Sequence, residues 1–146
     1  DSKQLEAIEK GEIAHEILAR INTFADLDHA ISWAVNSAMI TSQSKDEITE
    51  LISGIISHPE LKNYYSEDVE NLNEKEIITT EGKRLRPDRI NLNGKKITII
   101  DYKTGGFVDT HKKQVSDYAT ALNAMGYQVE KSLLVYTNNP IIIKNV

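Results

Sequence analysis

Residues 86–103 constrain this chain more than any other stretch. They read Arg86-Pro87-Asp88-Arg89-Ile90-Asn91-Leu92-Asn93-Gly94-Lys95-Lys96-Ile97-Thr98-Ile99-Ile100-Asp101-Tyr102-Lys103. Asn93-Gly94 supplies the positive-φ residues of a two-residue hairpin turn, and apolar residues alternate on both sides. With Asn93 and Gly94 as the loop, Leu92 pairs with Lys95, Ile90 with Ile97 and Asp88 with Ile99. A period of two then puts Asp88, Ile90, Ile97, Ile99, Asp101 and Lys103 on one face. Asp101 falls diagonally across from Asp88, at about 7–8 Å between backbones. Two carboxylates at that spacing can converge on one divalent cation, and Lys103 points into the same place. Such groups are costly to bury at the end of an apolar face unless paired or metal-bound. A structural salt bridge is the plainer reading of a bare Asp-x-Lys. The convergence of acids from both arms of one hairpin favours a site.

The 146 residues suffice for one domain with a single sizeable core. There is no membrane-length apolar run and no signal-peptide pattern. The chain begins at Asp1 rather than methionine, which suggests a piece excised from a longer protein. It has no cysteine, which excludes disulfides, a thiol nucleophile, a cysteine zinc site and an iron–sulfur cluster on cysteine, and fits a cytoplasmic protein. Charge is unevenly spread. Residues 1–81 carry 17 acids and 6 Lys/Arg, whereas residues 82–146 carry 5 acids and 11 Lys/Arg. Lys83, Arg84, Arg86, Arg89, Lys95, Lys96, Lys112 and Lys113 surround the carboxylate pair in sequence, as a polyanionic ligand at a metal site would require. Arg86 and Arg89, which flank Asp88, are the candidates for contact with such a ligand. A solvated hairpin surface explains the charge alone equally well.

The first part of the chain is helical. Residues 3–22 form an amphipathic helix with Ala14, Ile17, Leu18 and Ile21 as its stripe. His15 flanks that stripe, and Gly11 marks close packing or a break. Residues 26–40 form a second helix, capped near Asp26 or Asp28, with Ala30, Ile31, Ala34, Val35 and Ala38 inward. Ser44-Lys45-Asp46-Glu47 has capping-box spacing and opens a third helix that buries Ile48, Leu51, Ile52, Ile55 and Ile56. Residues 59–66 make a short helical turn. Strands follow at 74–80, 84–92 and 95–103, in a meander. Residues 110–125 form a fourth helix, with Val115, Tyr118, Ala119, Leu122 and Met125 on one face and Gly126 as its stop. Strands at 132–137 and 141–146 complete the chain, the first able to lie parallel to the central strand. The order describes an α/β fold with a mixed sheet. On the fourth helix Gln114 and Tyr118 share a face.

The hairpin and the helix after it resemble the PD-(D/E)XK nuclease superfamily: Pro87-Asp88, twelve residues, then Asp101-Tyr102-Lys103. Within it the chain is similar to the nuclease domain at the C-terminus of RecB/AddA-like, UvrD-type helicase–nucleases. Gly11-x-x-x-His15, an acid before the first strand (Glu74, with Glu76 as the alternative), Asp-Tyr-Lys-Thr-Gly at 101–105 and Gln114-x-x-x-Tyr118 follow in family order. Each motif is weak alone, but the ordered set is specific.

The resemblance implies one nuclease domain over residues 1–146. It comprises a helical part, 1–66, before a restriction-endonuclease-like catalytic core, 74–146, with a mixed central sheet flanked by helices. It implies Mg²⁺ or Mn²⁺ on His15, Asp88, Asp101 and the Tyr102 carbonyl, and Asp88, Asp101, Lys103 and Glu74 as the catalytic set. Lys103 would orient or activate water and steady the phosphate. Gln114 and Tyr118 would shape the site and contact DNA. The implied activity is phosphodiester hydrolysis, as an exonuclease in double-strand-break repair and recombination. DNA single strands or duplex ends, the parent's helicase domains and a partner subunit are the implied partners, with no membrane. No Gly-x4-Gly-Lys-Ser/Thr loop is present, so ATP would belong to the parent helicase alone. The competing readings are a catalytically silent nuclease fold that binds DNA or a partner subunit, and an interaction module whose acids are structural.

Overall fold

A computed structural model describes residues 6–146. Among the described residues the fold is an α/β architecture with four α-helices and a mixed five-stranded sheet. Helices α1 (Ala7–Leu18), α2 (Leu27–Asn36) and α3 (Lys45–Ile56) come first. Strands β1 (Glu70–Asn73), β2 (Ile77–Ile78), β3 (Arg84–Leu85), β4 (Arg89–Asn93) and β5 (Lys96–Lys103) follow. Helix α4 (Asp109–Ala124), β6 (Gln128–Tyr136) and β7 (Ile142–Asn145) complete the fold. Among the described residues, no helix is long and apolar enough to cross a membrane.

The sheet order is β1-β4-β5-β6-β7, with β5 and β6 parallel and the other pairs antiparallel. Alternation along β5 sends its side chains into two separate cores. Ile100 and Tyr102 pack with Leu133 and Val135 against α1, α2 and α3. Ile97 and Ile99 pack with Ile90, Leu134 and Tyr136 against Val115, Tyr118 and Leu122 of α4. The five apolar residues expected inward on α3 are all buried.

The hairpin register differs from expectation by two residues. Gly94 and Lys95 form the loop, Gly94 at φ +64° takes the left-handed position, and Asn93 pairs with Lys96. Ile90 therefore faces Ile99, and Leu92 faces Ile97. The expected register would have set Leu92 against Lys95 and Asp88 against Ile99, wasting two apolar pairings. A shift of two preserves side-chain parity, so the expected face survives.

Other boundaries moved for local reasons. Residues 3–5 of the expected first helix lie outside the described residues, and α1 ends at Leu18 rather than residue 22. Helix α2 stops early because Ala38 adopts φ +61°, and Ala38 is exposed rather than inward. The capping box near α2 is made by Thr23 and Asp26, whose carboxylate accepts the Thr23 amide at 3.0 Å. Ser44 makes no side-chain cap; Glu47 instead pairs with Lys10 of α1 at 3.2 Å. Met125 is exposed, because α4 ends there.

The expected strand over 74–80 shrinks to β2, which pairs with β3 in a separate ribbon. The meander's first strand is instead β1, a Glu-Asn-Leu-Asn segment with weak intrinsic β-preference. Its register on β4 is reinforced by Asn91 Nδ2 donating to Asn71 Oδ1 at 2.8 Å and Asn73 Nδ2 donating to the Ile21 carbonyl at 3.1 Å. Pro87 separates β3 from β4, so the expected strand over 84–92 is two strands.

Candidate functional site

The site lies where β4 begins and β5 ends, between α1 and α4. Beyond Arg89 the backbone ladder stops and carboxylates take over as acceptors. Asp88 Oδ2 accepts the Tyr102 amide at 2.8 Å, and Asp101 Oδ1 accepts the Asp88 amide at 3.2 Å. The two acids are thus opposed, not diagonal, which corrects the geometry expected from the sequence.

From the α1 side, His15 Nε2 lies 2.6 Å from Asp88 Oδ1 and 3.5 Å from Glu74 Oε1. One ligand atom from each of His15, Glu74 and Asp88 can be chosen with all three within 4.8 Å of one another. Glu74 has φ +54°, unusual for a residue with a side chain, and its amide donates to the Asp88 carbonyl at 3.0 Å. Of the two alternatives, Glu74 is the acid in the site; Glu76 pairs outside it with Arg84 at 3.7 Å.

From the α4 side, Lys103 Nζ sits 2.9 Å from Asp101 Oδ2 and donates to Gln114 Oε1. Tyr118 is buried behind Gln114. Burial, with Asp101 and Asp88 nearby, pushes the Tyr118 hydroxyl well above its ordinary pKa. The Tyr102 ring points away into the helical core, where its hydroxyl meets that of Tyr65. Asp101 lies outside the three-residue His15–Glu74–Asp88 group of side chains, although it adjoins it through Asp88.

The electrostatics show an acid-rich, incompletely compensated centre. Burial first, and then the Asp88 carboxylate, raise Asp101 to about 7 against the pull of Lys103. Asp101 Oδ2 is buried, with the Lys103 ammonium at 2.9 Å as its partner. The hydrogen bond to Asp88 raises the His15 pKa, against the lowering effect of burial.

Arg89 does not belong to this surface. It is fully buried and turned to the opposite face of the sheet. Its guanidinium donates to the carbonyls of Ile21 (2.6 Å), Asn22 (2.7 Å) and Tyr64 (2.7 Å), and it lies 4.0 Å from the Tyr65 ring centroid. Its expected role as a site-shaping contact is corrected: parity sends it away from Asp88 and into the helical layer. Arg86 remains at the surface, 3.4 Å from Glu74 Oε2.

Gly11 explains how α1 reaches the site. The helix runs through it unbroken, and an added Cβ would lie 1.8 Å from Thr104 Cγ2. Only a residue without a side chain lets α1 approach the end of β5 closely enough to place His15 on Asp88. Gly11→Ala is expected to destabilise the protein by about 1–3 kcal/mol through overpacking. Thr104→Ser, which removes the colliding methyl, should recover part of the loss. Denaturant unfolding of the single and double variants checks this; equal stability of Gly11→Ala and the parent would refute the contact.

In the sequence His111 lies with Lys112 and Lys113 near a helix start, a place that attracts phosphates. It lines a groove with His15, Lys103 and Thr104, and its Nδ1 lies 2.8 Å from the Tyr136 hydroxyl. A second groove, lined by Gln114, carries Lys83, Arg84, Arg86 and Lys113, with Asp117 paired to Lys83 at 3.3 Å and to Lys113 at 3.2 Å.

No protein-family model matches the chain, and no curated protein matches it either.

The donors nevertheless suit a divalent cation. Carboxylate oxygens fit Mg²⁺ or Mn²⁺, and imidazole is better matched to Mn²⁺. The Asp101 carboxylate beside this cluster, paired with Lys103, supplies further acceptor oxygens.

Proposed function

We propose that this chain is the nuclease domain of a RecB/AddA-like helicase–nuclease, with a restriction-endonuclease-like core. It hydrolyses DNA phosphodiester bonds as an exonuclease in repair and recombination. The observation that carries this reading is the junction of Asp88, Asp101 and Lys103 at one strand end, with His15 and Glu74 completing a carboxylate–imidazole cluster.

His15, Glu74 and Asp88 would hold Mg²⁺ or Mn²⁺, with Asp101 at its edge. A divalent cation there supplies charge neutralisation on the scissile phosphate and a lowered pKa for the attacking water. Lys103, held between Asp101 and Gln114, would orient that water and steady a phosphate oxygen. Its ammonium also limits repulsion within the acidic cluster. Gln114 fixes the Lys103 head, and Tyr118 backs Gln114 from the core. The groove bearing Lys83, Arg84, Arg86 and Lys113 offers positive charge to the DNA backbone. ATP hydrolysis would belong to helicase domains of the parent.

The test is cleavage of end-labelled single- and double-stranded DNA with Mn²⁺ or Mg²⁺. EDTA and Asp88→Ala serve as controls. Cutting that both controls abolish supports the proposal. Cutting that survives Asp88→Ala refutes this site as its source. DNA binding without cutting under any metal favours a silent nuclease fold.

A further inference from the structure

Glu74 has two claimants. Oε1 faces His15 Nε2 at 3.5 Å, inside the carboxylate–imidazole cluster, while Oε2 faces Arg86 Nε at 3.4 Å. The carboxylate is a bridge between the cluster and the basic groove. Its backbone is fixed: φ is +54°, and the Glu74 amide is tied to the Asp88 carbonyl at 3.0 Å. The arginine is much less confined. Its side chain is 63% exposed, against 24% for Glu74, and it lines the open groove with Arg84 and with Lys83 and Lys113, which share Asp117.

We propose that Arg86 is a stand-in cation on Glu74, displaced when a divalent ion enters the cluster and thereby freed to bind a phosphate in the adjoining groove. This rests on the metal-binding part of the proposed function. A metal ion beside Glu74 draws the same carboxylate and repels the guanidinium. The anchored acid stays, and the exposed cation leaves. Arg86 has lost its partner at that moment, and the nearest place for its charge is the basic groove. Metal and polyanion therefore help each other bind. Such coupling is reciprocal: each ligand raises the affinity of the other by the same factor. Without metal, the groove has one less available cation and the cluster is guarded against occupation.

Calorimetric titration of Mn²⁺ into the DNA-free protein tests the competition. Removing an exposed ion pair's worth of competition by Arg86→Gln should tighten Mn²⁺ binding about two- to fivefold. Arg84→Gln is the control. Arg84 lines the same groove but pairs with Glu76, so its loss should leave the Mn²⁺ affinity nearly unchanged. Fluorescence anisotropy of a single-stranded phosphorothioate oligonucleotide, with and without Mn²⁺, tests the release. Mn²⁺ should strengthen binding to the parent protein more than to Arg86→Gln.

Unchanged or weaker Mn²⁺ binding by Arg86→Gln overturns the proposal. So does tightening of the same size in Arg84→Gln, which would be a general charge effect. An equal gain from Mn²⁺ in parent and Arg86→Gln overturns the release. If the parent binds no Mn²⁺, the metal site itself fails and this proposal fails with it. If the parent binds Mn²⁺ and Arg86→Gln does not differ, only the stand-in role fails.

Discussion

Asp101→Asn is expected to abolish metal-dependent DNA cleavage and, at the same time, to stabilise the metal-free protein at pH 8. Both effects come from one buried carboxylate. Burial and Asp88 raise Asp101 to about 7, well above an ordinary aspartate. An acid with a raised pKa in the folded state keeps its proton over a range where the unfolded chain has lost it. The folded state then binds more protons, so unfolding free energy falls as pH rises from about 4 to about 7. At pH 8 the folded protein carries the full penalty of the buried charge. Asparagine removes it while keeping an oxygen for the Asp88 amide. The gain should be on the order of 2 kcal/mol, less than the raised pKa alone implies because Lys103 loses its ion-pair partner.

His15 gives a slope of the same sign, in the range above the ordinary histidine value. Its raised pKa contributes stability that is present below the ordinary histidine value and is lost as pH rises through the raised one. Comparing parent and Asp101→Asn across pH 4–8 in EDTA cancels the His15 slope to first order and leaves that of Asp101. Urea titrations at several pH values supply the stability. A variant less stable than the parent at pH 8 would refute the account. So would one that still cleaves DNA.

Arg89→Ala should cost about 3–5 kcal/mol of folding stability, with little dependence on metal. No carboxylate neutralises this fully buried cation among its described contacts. Backbone carbonyls of Ile21, Asn22 and Tyr64, the Asn73 side chain and the Tyr65 ring do so instead. Carbonyl oxygens carry partial negative charge and accept charge-assisted hydrogen bonds from a guanidinium. Truncation strands three acceptors in a closed space. Arg89→Lys should rescue little, because one ammonium cannot span three separated carbonyls. A loss below about 1 kcal/mol for Arg89→Ala in denaturant unfolding would show that these contacts are replaceable.

The parts of this molecule that follow from strong alternation were readable in the sequence. The face shared by Ile90, Ile97, Ile99, Asp101 and Lys103 depends only on parity, and parity survived a two-residue error in register. The α3 stripe was equally legible. What escaped depended on contacts distant in sequence. Nothing in Glu70-Asn71-Leu72-Asn73 signals a strand; its partner β4 and the Asn side chains make it one. Arg89 sits in a basic run and reads as surface charge, yet parity on the same hairpin already placed it opposite Asp88. Glu74 rather than Glu76 lies beside His15 and Asp88, on a left-handed backbone that no propensity would assign to glutamate.

The last rung of the central hairpin is built from side chains, and this gives the site an internal clock. The Asp88 and Tyr102 amides donate to the Asp101 and Asp88 carboxylates, respectively. Their hydrogen exchange depends on those carboxylates staying in place, whereas the neighbouring amides of the hairpin depend on the backbone ladder. A cation that fixes the acids should slow these two positions selectively. Peptide-resolved exchange can therefore follow occupation of the site in the absence of any DNA.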